Sequence, residues 1–202
     1  MKKLLLLSIV LFGLSSCGAF KFTTYDVSLA KVEIPQNVKE KYGTTDVVIL
    51  DESGKTNYKY ENDLFNILWY ATRSQLNFSI KNKSDYSIKI LWDEAVFIDQ
   101  NGKTGRVMHD GIKYIDRNNS MPASVIPKGT SLDDMIVPTS NVYYSSGSGW
   151  RTSDLLYVDQ NVLKSNPSAY EGVTIKVLLP LEIEGVKNEY TFEFDVNNIQ
   201  IK

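Results

Sequence analysis

A period-two alternation of apolar and polar residues is the feature that most limits how this chain can fold. Leu76, Phe78 and Ile80 are separated by polar residues, and the same alternation runs through residues 175–183 and 192–196. Successive side chains of a β-strand point to opposite faces of its sheet, so this period predicts strands with one face in a core. Trp69 and Trp92 lie on the apolar side of their alternating segments and are predicted to be core residues.

Turn residues divide the alternating segments into about eight to ten short strands with almost no helix between them, which is typical of an antiparallel sandwich or barrel rather than an α/β fold. Asn101-Gly102 predicts a type I′ hairpin that pairs residues 96–98 with residues 106–109. A final hairpin is expected to turn at residues 185–188. The apolar alternation of the segment that contains Trp92 is broken at residues 93–95, which predicts a β-bulge or a strand that moves between sheets.

Residues 139–172 interrupt this rhythm and are predicted to be an insertion of loop and short helix, with Thr152 or Ser153 as the helix N-cap. Within it, Tyr143, Tyr144 and Trp150 surround a Ser/Gly loop. Large rings beside small flexible residues are common in adaptable binding surfaces, where they contact proteins or sugars. The alternative is a structural lid over an open end of the sandwich, because aromatic side chains mostly bury.

The first residues have the order of a secretory signal. Met1, Lys2 and Lys3 form a basic head, and residues 4–14 form an apolar run that is too short to span a bilayer permanently. The following Leu14-Ser15-Ser16-Cys17 resembles the lipobox of bacterial lipoproteins. An ordinary signal peptide or a membrane anchor that happens to end in a cysteine is the alternative.

The lipobox resemblance implies cleavage between Ser16 and Cys17 and acylation of Cys17, so that the partner of the chain is the lipid bilayer. The implied organisation is a signal peptide over residues 1–16, a lipidated tether over 17–25 and one β-sandwich domain over 26–202. Gly18, rather than Asp, follows Cys17. By the sorting rules of bacterial lipoproteins this implies the outer membrane, facing the periplasm.

A second resemblance concerns the domain itself. Residues 76–196 resemble the small immunoglobulin-like domains of many bacterial lipoproteins in the order of their turns and strands. That order is an Asn-rich turn, a long strand, an Asp-x-Asn-Gly hairpin, an Ile-Pro-x-Gly turn and a final hairpin. This resemblance implies an immunoglobulin-like β-sandwich. The cysteine pair and the tryptophan spacing of antibody domains are absent from the sequence.

Charge and cysteine content exclude several function classes. Loss of Lys2 and Lys3 lowers the 22 basic residues to 20 against 24 acidic residues, a net charge of about −4. A chain without a basic run is a poor match for nucleic acid, which requires many contacts to phosphates. The sole cysteine is Cys17, so the domain has no internal disulfide, and one histidine cannot form a His/Cys zinc site.

His109 is the only imidazole and therefore the first candidate for a general base. Its neighbour Asp110 should point to the opposite face of a strand, and no Gly-x-Ser-x-Gly motif is present. A structural or exposed His109 is the favoured interpretation. The alternative function is an envelope hydrolase that uses His109 or surface carboxylates.

Four carboxylates lie on the outward parity of the last hairpin and predict a solvated acidic stripe: Glu182, Glu184, Glu193 and Asp195. Asp99 with Asn101 begins like a calcium loop, but the distal Glu is missing and the hairpin explains the same residues. The sequence therefore predicts no enzyme, metal or cofactor. We expect a membrane-anchored binding or structural module that presents residues 143–150 to an envelope protein or glycan.

Overall fold

The computed structural model describes residues 22–36, 38, 48–52 and 55–202. Strands dominate this part of the chain, and all paired strands are antiparallel. The strands are β1 (Thr23–Glu33), β2 (Val48–Glu52), β3 (Lys55–Glu61), β4 (Phe65–Ala71), β5 (Leu76–Asn82), β6 (Ile88–Ile90), β7 (Val96–Ile98), β8 (Thr104–Met108), β9 (Ser124–Ile126), β10 (Ser131–Pro138), β11 (Val142–Ser145), β12 (Gly149–Thr152), β13 (Thr174–Ile183) and β14 (Val186–Ile201). The α-helix α1 (Gln160–Ser165) and 3₁₀ turns at Trp92–Glu94, Tyr114–Asp116 and Thr139–Asn141 accompany them.

Two sheets face each other across the core. β1, β14 and β13 continue into β7 and β8, with β6 and β9 alongside, whereas the facing sheet runs from β10 through β5, β4 and β3 to β2. The sheets join where Val137 and Pro138 of β10 pair with Met108 and Val107 of β8. β11 and β12 form a separate two-stranded sheet. The predicted all-β antiparallel sandwich is therefore confirmed.

Aromatic residues fill the space between the sheets. The Trp69 ring on β4 lies 5.0 Å from the Phe192 ring and 5.4 Å from the Phe194 ring, both on β14. Trp69 and Trp92 are fully buried, as the alternation predicted. Side chains of this size each bury a large apolar area, so these contacts contribute much of the stability of a fold without a disulfide.

The final hairpin forms, but its turn is shorter than predicted. Ile183 pairs with Val186, so the connection is the two residues Glu184 and Gly185, and the predicted turn at residues 185–188 is wrong. Both connecting residues have positive φ, 55° and 73°. A two-residue type I′ turn requires this conformation because its twist matches that of the flanking strands.

The hairpin after Asp99 has a different register from the predicted one. Residues 96–98 pair with residues 104–106 rather than with 106–109. The Asp99 carboxylate accepts hydrogen bonds from the backbone N–H groups of Asn101 and Lys103, each 2.9 Å long. This side chain fixes a three-residue loop in which only Gly102 has positive φ, so the predicted type I′ turn is replaced by a type I turn with a bulge.

Where the apolar alternation is broken, near residues 93–95, the chain forms a 3₁₀ turn, Trp92–Glu94, between β6 and β7. Both of these strands pair with the uninterrupted β13. The chain therefore stays in one sheet, and the predicted move between sheets is wrong. The extra residues of the turn shift the alternation by one position while Trp92 remains buried.

The insertion at residues 139–172 contains more regular structure than predicted. Its helix, α1, begins after Asp159, whose side chain accepts from the N–H groups of Asn161 and Val162. The predicted caps Thr152 and Ser153 are wrong because Thr152 belongs to β12 and residues 153–159 are not helical. The N–H of Leu155, for example, donates to the Arg73 carbonyl over 2.7 Å instead of to a helix.

The predicted signal peptide, the lipobox and Cys17 lie outside the described residues. Strand β1 begins at Thr23, within the segment predicted to be a tether. Phe22 forms two backbone hydrogen bonds with Lys202, of 3.0 and 2.8 Å, so the chain enters the domain beside its last residue. Across the described ranges, no helix is both long and apolar enough to span a bilayer.

Candidate functional site

The predicted aromatic loop is a β-hairpin. Tyr144 of β11 pairs with Trp150 of β12, and Tyr143 pairs with Arg151. Because neighbouring residues of a strand point to opposite faces, Tyr144 and Trp150 share one face and Tyr143 lies on the other. The three aromatic residues singled out in the sequence therefore do not form one surface.

Trp150 lies at the centre of a group of side chains, which we call the Trp150 cluster and which also contains Tyr114, Arg117 and Tyr144. The Tyr144 and Trp150 rings meet edge to face at 5.6 Å, and the Tyr114 ring lies 6.4 Å from Trp150. The Arg117 guanidinium carbon lies 5.0 Å from the centre of the Trp150 ring. Arg117 also donates to the Tyr114 carbonyl over 3.0 Å, which fixes its position over the ring.

The cluster is open on one side. Tyr144 is 66% exposed, whereas Trp150 is half-buried beneath its neighbours. Ile115, beside Tyr114 in the chain, is also exposed. Tryptophan, tyrosine and arginine are the residues that contribute most to protein interfaces, and their faces also accept sugar rings or cations. The arrangement can therefore bind a ligand by stacking and by apolar contact, with Arg117 as a fixed positive charge.

The base of the hairpin is tied to the body of the domain. The N–H of Ser153 donates to the Asn141 carbonyl over 2.9 Å, and the Asn141 side chain donates to the Asp154 carbonyl over 2.8 Å. Val142 is buried in the main core at the start of β11. These contacts hold the aromatic face on an anchored element rather than on the flexible loop that the Ser/Gly composition predicted.

His109 occupies a buried stack rather than a surface. Its ring lies 4.2 Å from the Trp92 ring with an angle of 3° between their planes. Its Nδ1 lies 3.2 Å from an oxygen of the Asp134 carboxylate, which is itself almost fully buried. We call these three residues the His109 stack. Asp134 also accepts the backbone N–H of Asp110 over 2.9 Å, so the neighbouring aspartate contributes its amide and not its carboxylate.

The geometry of the His109 stack is a poor match for catalysis. Its Nε2 atom is buried and has no hydrogen-bond partner in the described part of the chain. A general base must reach the proton that it removes, either directly or through one water. Sequence reasoning missed Asp134 because it lies 25 residues from His109, on a strand that only the tertiary fold brings alongside.

The predicted acidic stripe is interrupted by lysines. Lys89 forms an ion pair of 2.7 Å with Glu182, and Lys176 forms one of 2.8 Å with Glu193. The hydrogen bond from Lys176 to Glu193 raises the pKa of this lysine. Glu184 belongs to the turn. Glu182, Glu193 and Asp195 do lie on the outward parity, between buried residues of β13 and β14. The outward face of the last hairpin carries lysines as well, so it has both charges rather than an acidic stripe.

No cluster of three or more His, Cys, Asp or Glu side chains able to hold a metal occurs among residues 22–36, 38, 48–52 and 55–202. In the segment that resembled a calcium loop, the Asp99 side chain instead accepts from two backbone amides of its own turn.

A cleft of about 640 Å³, which sequence reasoning did not anticipate, opens where the chain enters the domain. We call it the Phe22 cleft. Phe22 and Tyr157 lie on its walls, and Phe97, Leu155 and Leu156 contribute apolar contacts. The sequence pattern predicts that Leu155 and Leu156 belong to the short helix of the insertion. It therefore gives no sign that these two leucines form the wall of a cleft.

Hydrogen bonds and an ion pair hold the segment after residue 153 against the rest of the domain along this cleft. The Tyr25 hydroxyl donates to the Arg73 carbonyl over 2.7 Å and accepts from the N–H of Leu156 over 3.1 Å. Burial raises the pKa of Tyr25 to about 12, so the hydroxyl keeps its proton for the first of these bonds. The Arg73 guanidinium also forms an ion pair of 2.6 Å with Asp154.

No protein-family model, no curated protein and no solved structure matches this chain. The function must therefore be argued from the site itself and not from fold-level analogy.

Proposed function

We propose that this chain is a lipid-anchored lipoprotein of the bacterial cell envelope that acts as a non-catalytic binding module. The observation that carries this proposal is the Trp150 cluster, an open group of aromatic and arginine side chains on an anchored hairpin. Its ligand is an envelope protein or a glycan, since both present the apolar and ring surfaces that such a cluster accepts.

The anchoring part of the proposal is supported by Leu14-Ser15-Ser16-Cys17 after a basic head and an apolar run. Cleavage before Cys17 would leave only residues 18–21 between the acylated residue and the first described residue, Phe22. We place the protein at the outer membrane, facing the periplasm, because Gly18 follows the cysteine. Acyl chains supply the membrane affinity, about 0.8 kcal/mol for each buried CH₂ group.

We further propose that the domain is immunoglobulin-like. Two facing antiparallel sheets around an aromatic core support this proposal. The join between β8 and β10, which makes the two sheets continuous, is a departure from a simple sandwich.

A hydrolase is less well supported than a binding module. The Nε2 atom of His109 is enclosed, and two of the candidate surface carboxylates, Glu182 and Glu193, are paired with lysines. Activity on ester, peptide or glycoside substrates that is lost in His109→Ala, and kept in a folded control variant of equal stability, would contradict the non-catalytic proposal.

The binding proposal is tested by separating the two faces of the hairpin. One variant combines Tyr144→Ala with Trp150→Ala and removes the cluster face, and its matched control combines Tyr143→Ala with Arg151→Ala and alters the opposite face. Each protein is purified from intact cells after cross-linking and is also applied to an array of envelope glycans. We expect partners or glycans to be lost only in the first variant.

The result is interpretable only if both variants keep their fold, which circular dichroism and thermal unfolding would establish. Equal recoveries from the wild type and both variants would contradict a binding role for the cluster and leave the hairpin as a structural lid. Loss only in the control variant would move the binding surface to Tyr143 and Arg151, which lie on the opposite face.

A further inference from the structure

We propose that the end of the domain that carries the Phe22 cleft faces the lipid bilayer, and that Tyr157 and Phe22 contact the headgroup layer. This inference rests on the proposed acylation of Cys17. It goes further by assigning the orientation of the domain and a second, protein-mediated membrane contact. The occupant of this surface is a lipid bilayer.

The first step is the length of chain between the anchor and the domain. Phe22, the first residue that the structure describes, is fixed to Lys202 by two backbone hydrogen bonds. Five residue steps separate Cys17 from Phe22, and a fully extended chain spans at most about 18 Å over that number. An acylated Cys17 therefore keeps this end of the domain close to the membrane surface.

The second step is the kind of side chain exposed at this end. Tyr157 is 75% exposed and Phe22 is 47% exposed, and both lie on the Phe22 cleft. Aromatic side chains concentrate at membrane interfaces, and tyrosine is favoured there because its ring contacts acyl chains while its hydroxyl contacts headgroups. Two exposed rings beside the point where the chain leads to its lipid anchor are placed for this contact.

The third step is that Tyr157 is held outward by a fixed backbone. Gln100 accepts the N–H of Tyr157 and donates to its carbonyl, and both hydrogen bonds are 2.9 Å long. The adjacent Leu156 is bonded to the Tyr25 hydroxyl. Gln100 and Tyr25 therefore fix the backbone from which the exposed Tyr157 ring projects.

The charges near these rings are compatible with a lipid surface. Asp154 forms an ion pair with Arg73, and the Asp99 carboxylate accepts two backbone N–H groups. The Arg73 guanidinium lies 5.6 Å from the centre of the Phe22 ring. Both acidic residues that line the Phe22 cleft are therefore engaged within the domain. Arg73 is used in the ion pair with Asp154, so Lys103 is the lining residue that adds positive charge towards anionic headgroups.

The fold also supplies a matched control position. β14 runs from Val186 to Ile201, so its first residue lies on the order of 50 Å along the strand from the Phe22 end, at about 3.3 Å per residue. Val186 is 51% exposed, close to the value for Phe22. The proposal predicts that Val186 stays in water when Tyr157 is at the bilayer.

The test uses the full acylated chain in vesicles of phosphatidylethanolamine and phosphatidylglycerol. In the proposed lipoprotein the Cys17 sulfur carries lipid, so Tyr157→Cys or Val186→Cys supplies the only free thiol for an environment-sensitive fluorophore. Asn101→Cys, on the hairpin loop that also lines the cleft, is a second probe in case the first variant folds poorly. Nitroxide-labelled lipid and aqueous iodide are the two quenchers.

We expect lipid-borne nitroxide to quench the probes at 157 and 101 several-fold more strongly than the probe at 186, and iodide to show the reverse order. Equal quenching at the two ends, or stronger lipid quenching at 186, would overturn the orientation. Mass spectrometry of the N-terminal peptide keeps the two proposals separate. An unacylated Cys17 would overturn both, whereas an acylated Cys17 with reversed quenching would overturn only the inference about orientation.

Discussion

The His109 stack and the Trp150 cluster use similar residues in opposite ways. In the first, the Trp92 indole lies flat against His109 and donates its own N–H to Ser124 over 2.8 Å. In the second, Trp150 meets Tyr144 at an edge and carries Arg117 over its face. Trp92 is buried on all sides, whereas the Trp150 cluster remains open at Tyr144.

Connectivity explains this difference. Trp92 lies between β6 and β7, two strands that pair with the central β13, so its side chain enters the space between the sheets. Trp150 belongs to a two-stranded sheet outside the main one and is only partly buried against the core. In the described part of the chain, the aromatic rings that it meets are Tyr114 of a 3₁₀ turn and Tyr144 of its own hairpin. An aromatic residue beside a basic one is therefore structural or available to a ligand according to the layers that cover it.

The largest expected effect is on the buried side of this comparison. Trp92→Ala removes the ring contacts with His109 and Phe78 and leaves a cavity, and we expect a loss of about 3–5 kcal/mol in the free energy of unfolding. Urea unfolding monitored by circular dichroism measures this loss. Trp150→Ala is the matched control and should cost much less. A similar cost at both positions would remove the distinction between the two regions.

A smaller effect is expected when the buried carboxylate is removed. Asp134→Ala leaves the Nδ1 atom of His109 and the N–H of Asp110 without their acceptor, and an unsatisfied buried polar group costs about 1–3 kcal/mol. Asp133→Ala, on the exposed side of the same strand, is the control for loss of a carboxylate. Equal unfolding midpoints in urea for the two variants would show that Asp134 does not support the stack.

Local patterns predicted the fold better than they predicted the turns. Alternation in residues 76–80 and 175–183 identified strands with one buried face, because burial of every second residue is a local property. The Asn-Gly rule failed after Asp99, where a side-chain carboxylate selects a longer loop. The type I′ geometry occurs instead at Glu184-Gly185, where the pairing of β13 with β14 imposes it on a residue that rarely adopts positive φ.

The candidate site was predicted only in part, for a related reason. Tyr144 and Trp150 were found from composition, but their division from Tyr143 required the strand pairing of the hairpin. Arg117 and the 3₁₀ turn that carries Tyr114 come from a distant part of the chain. Asp134 was missed in the same way. Contacts across the fold depend on register and layer order, which no local pattern of residues reveals.

The smallest expected effect concerns the open cluster and would sharpen the comparison most. A double-mutant cycle of Arg117→Ala and Trp150→Ala isolates the energy of the contact between the guanidinium and the indole ring, which we expect to be about 0.5–1 kcal/mol because the site is partly exposed. Each single variant and the double variant would be unfolded in urea, and the coupling energy follows from the four stabilities. A coupling near zero would show that Arg117 is not held over the ring in solution, so that the cluster is not preformed for a ligand. A coupling above about 2 kcal/mol is the value for a desolvated contact, and it would place the Trp150 cluster with the buried His109 stack as a structural element.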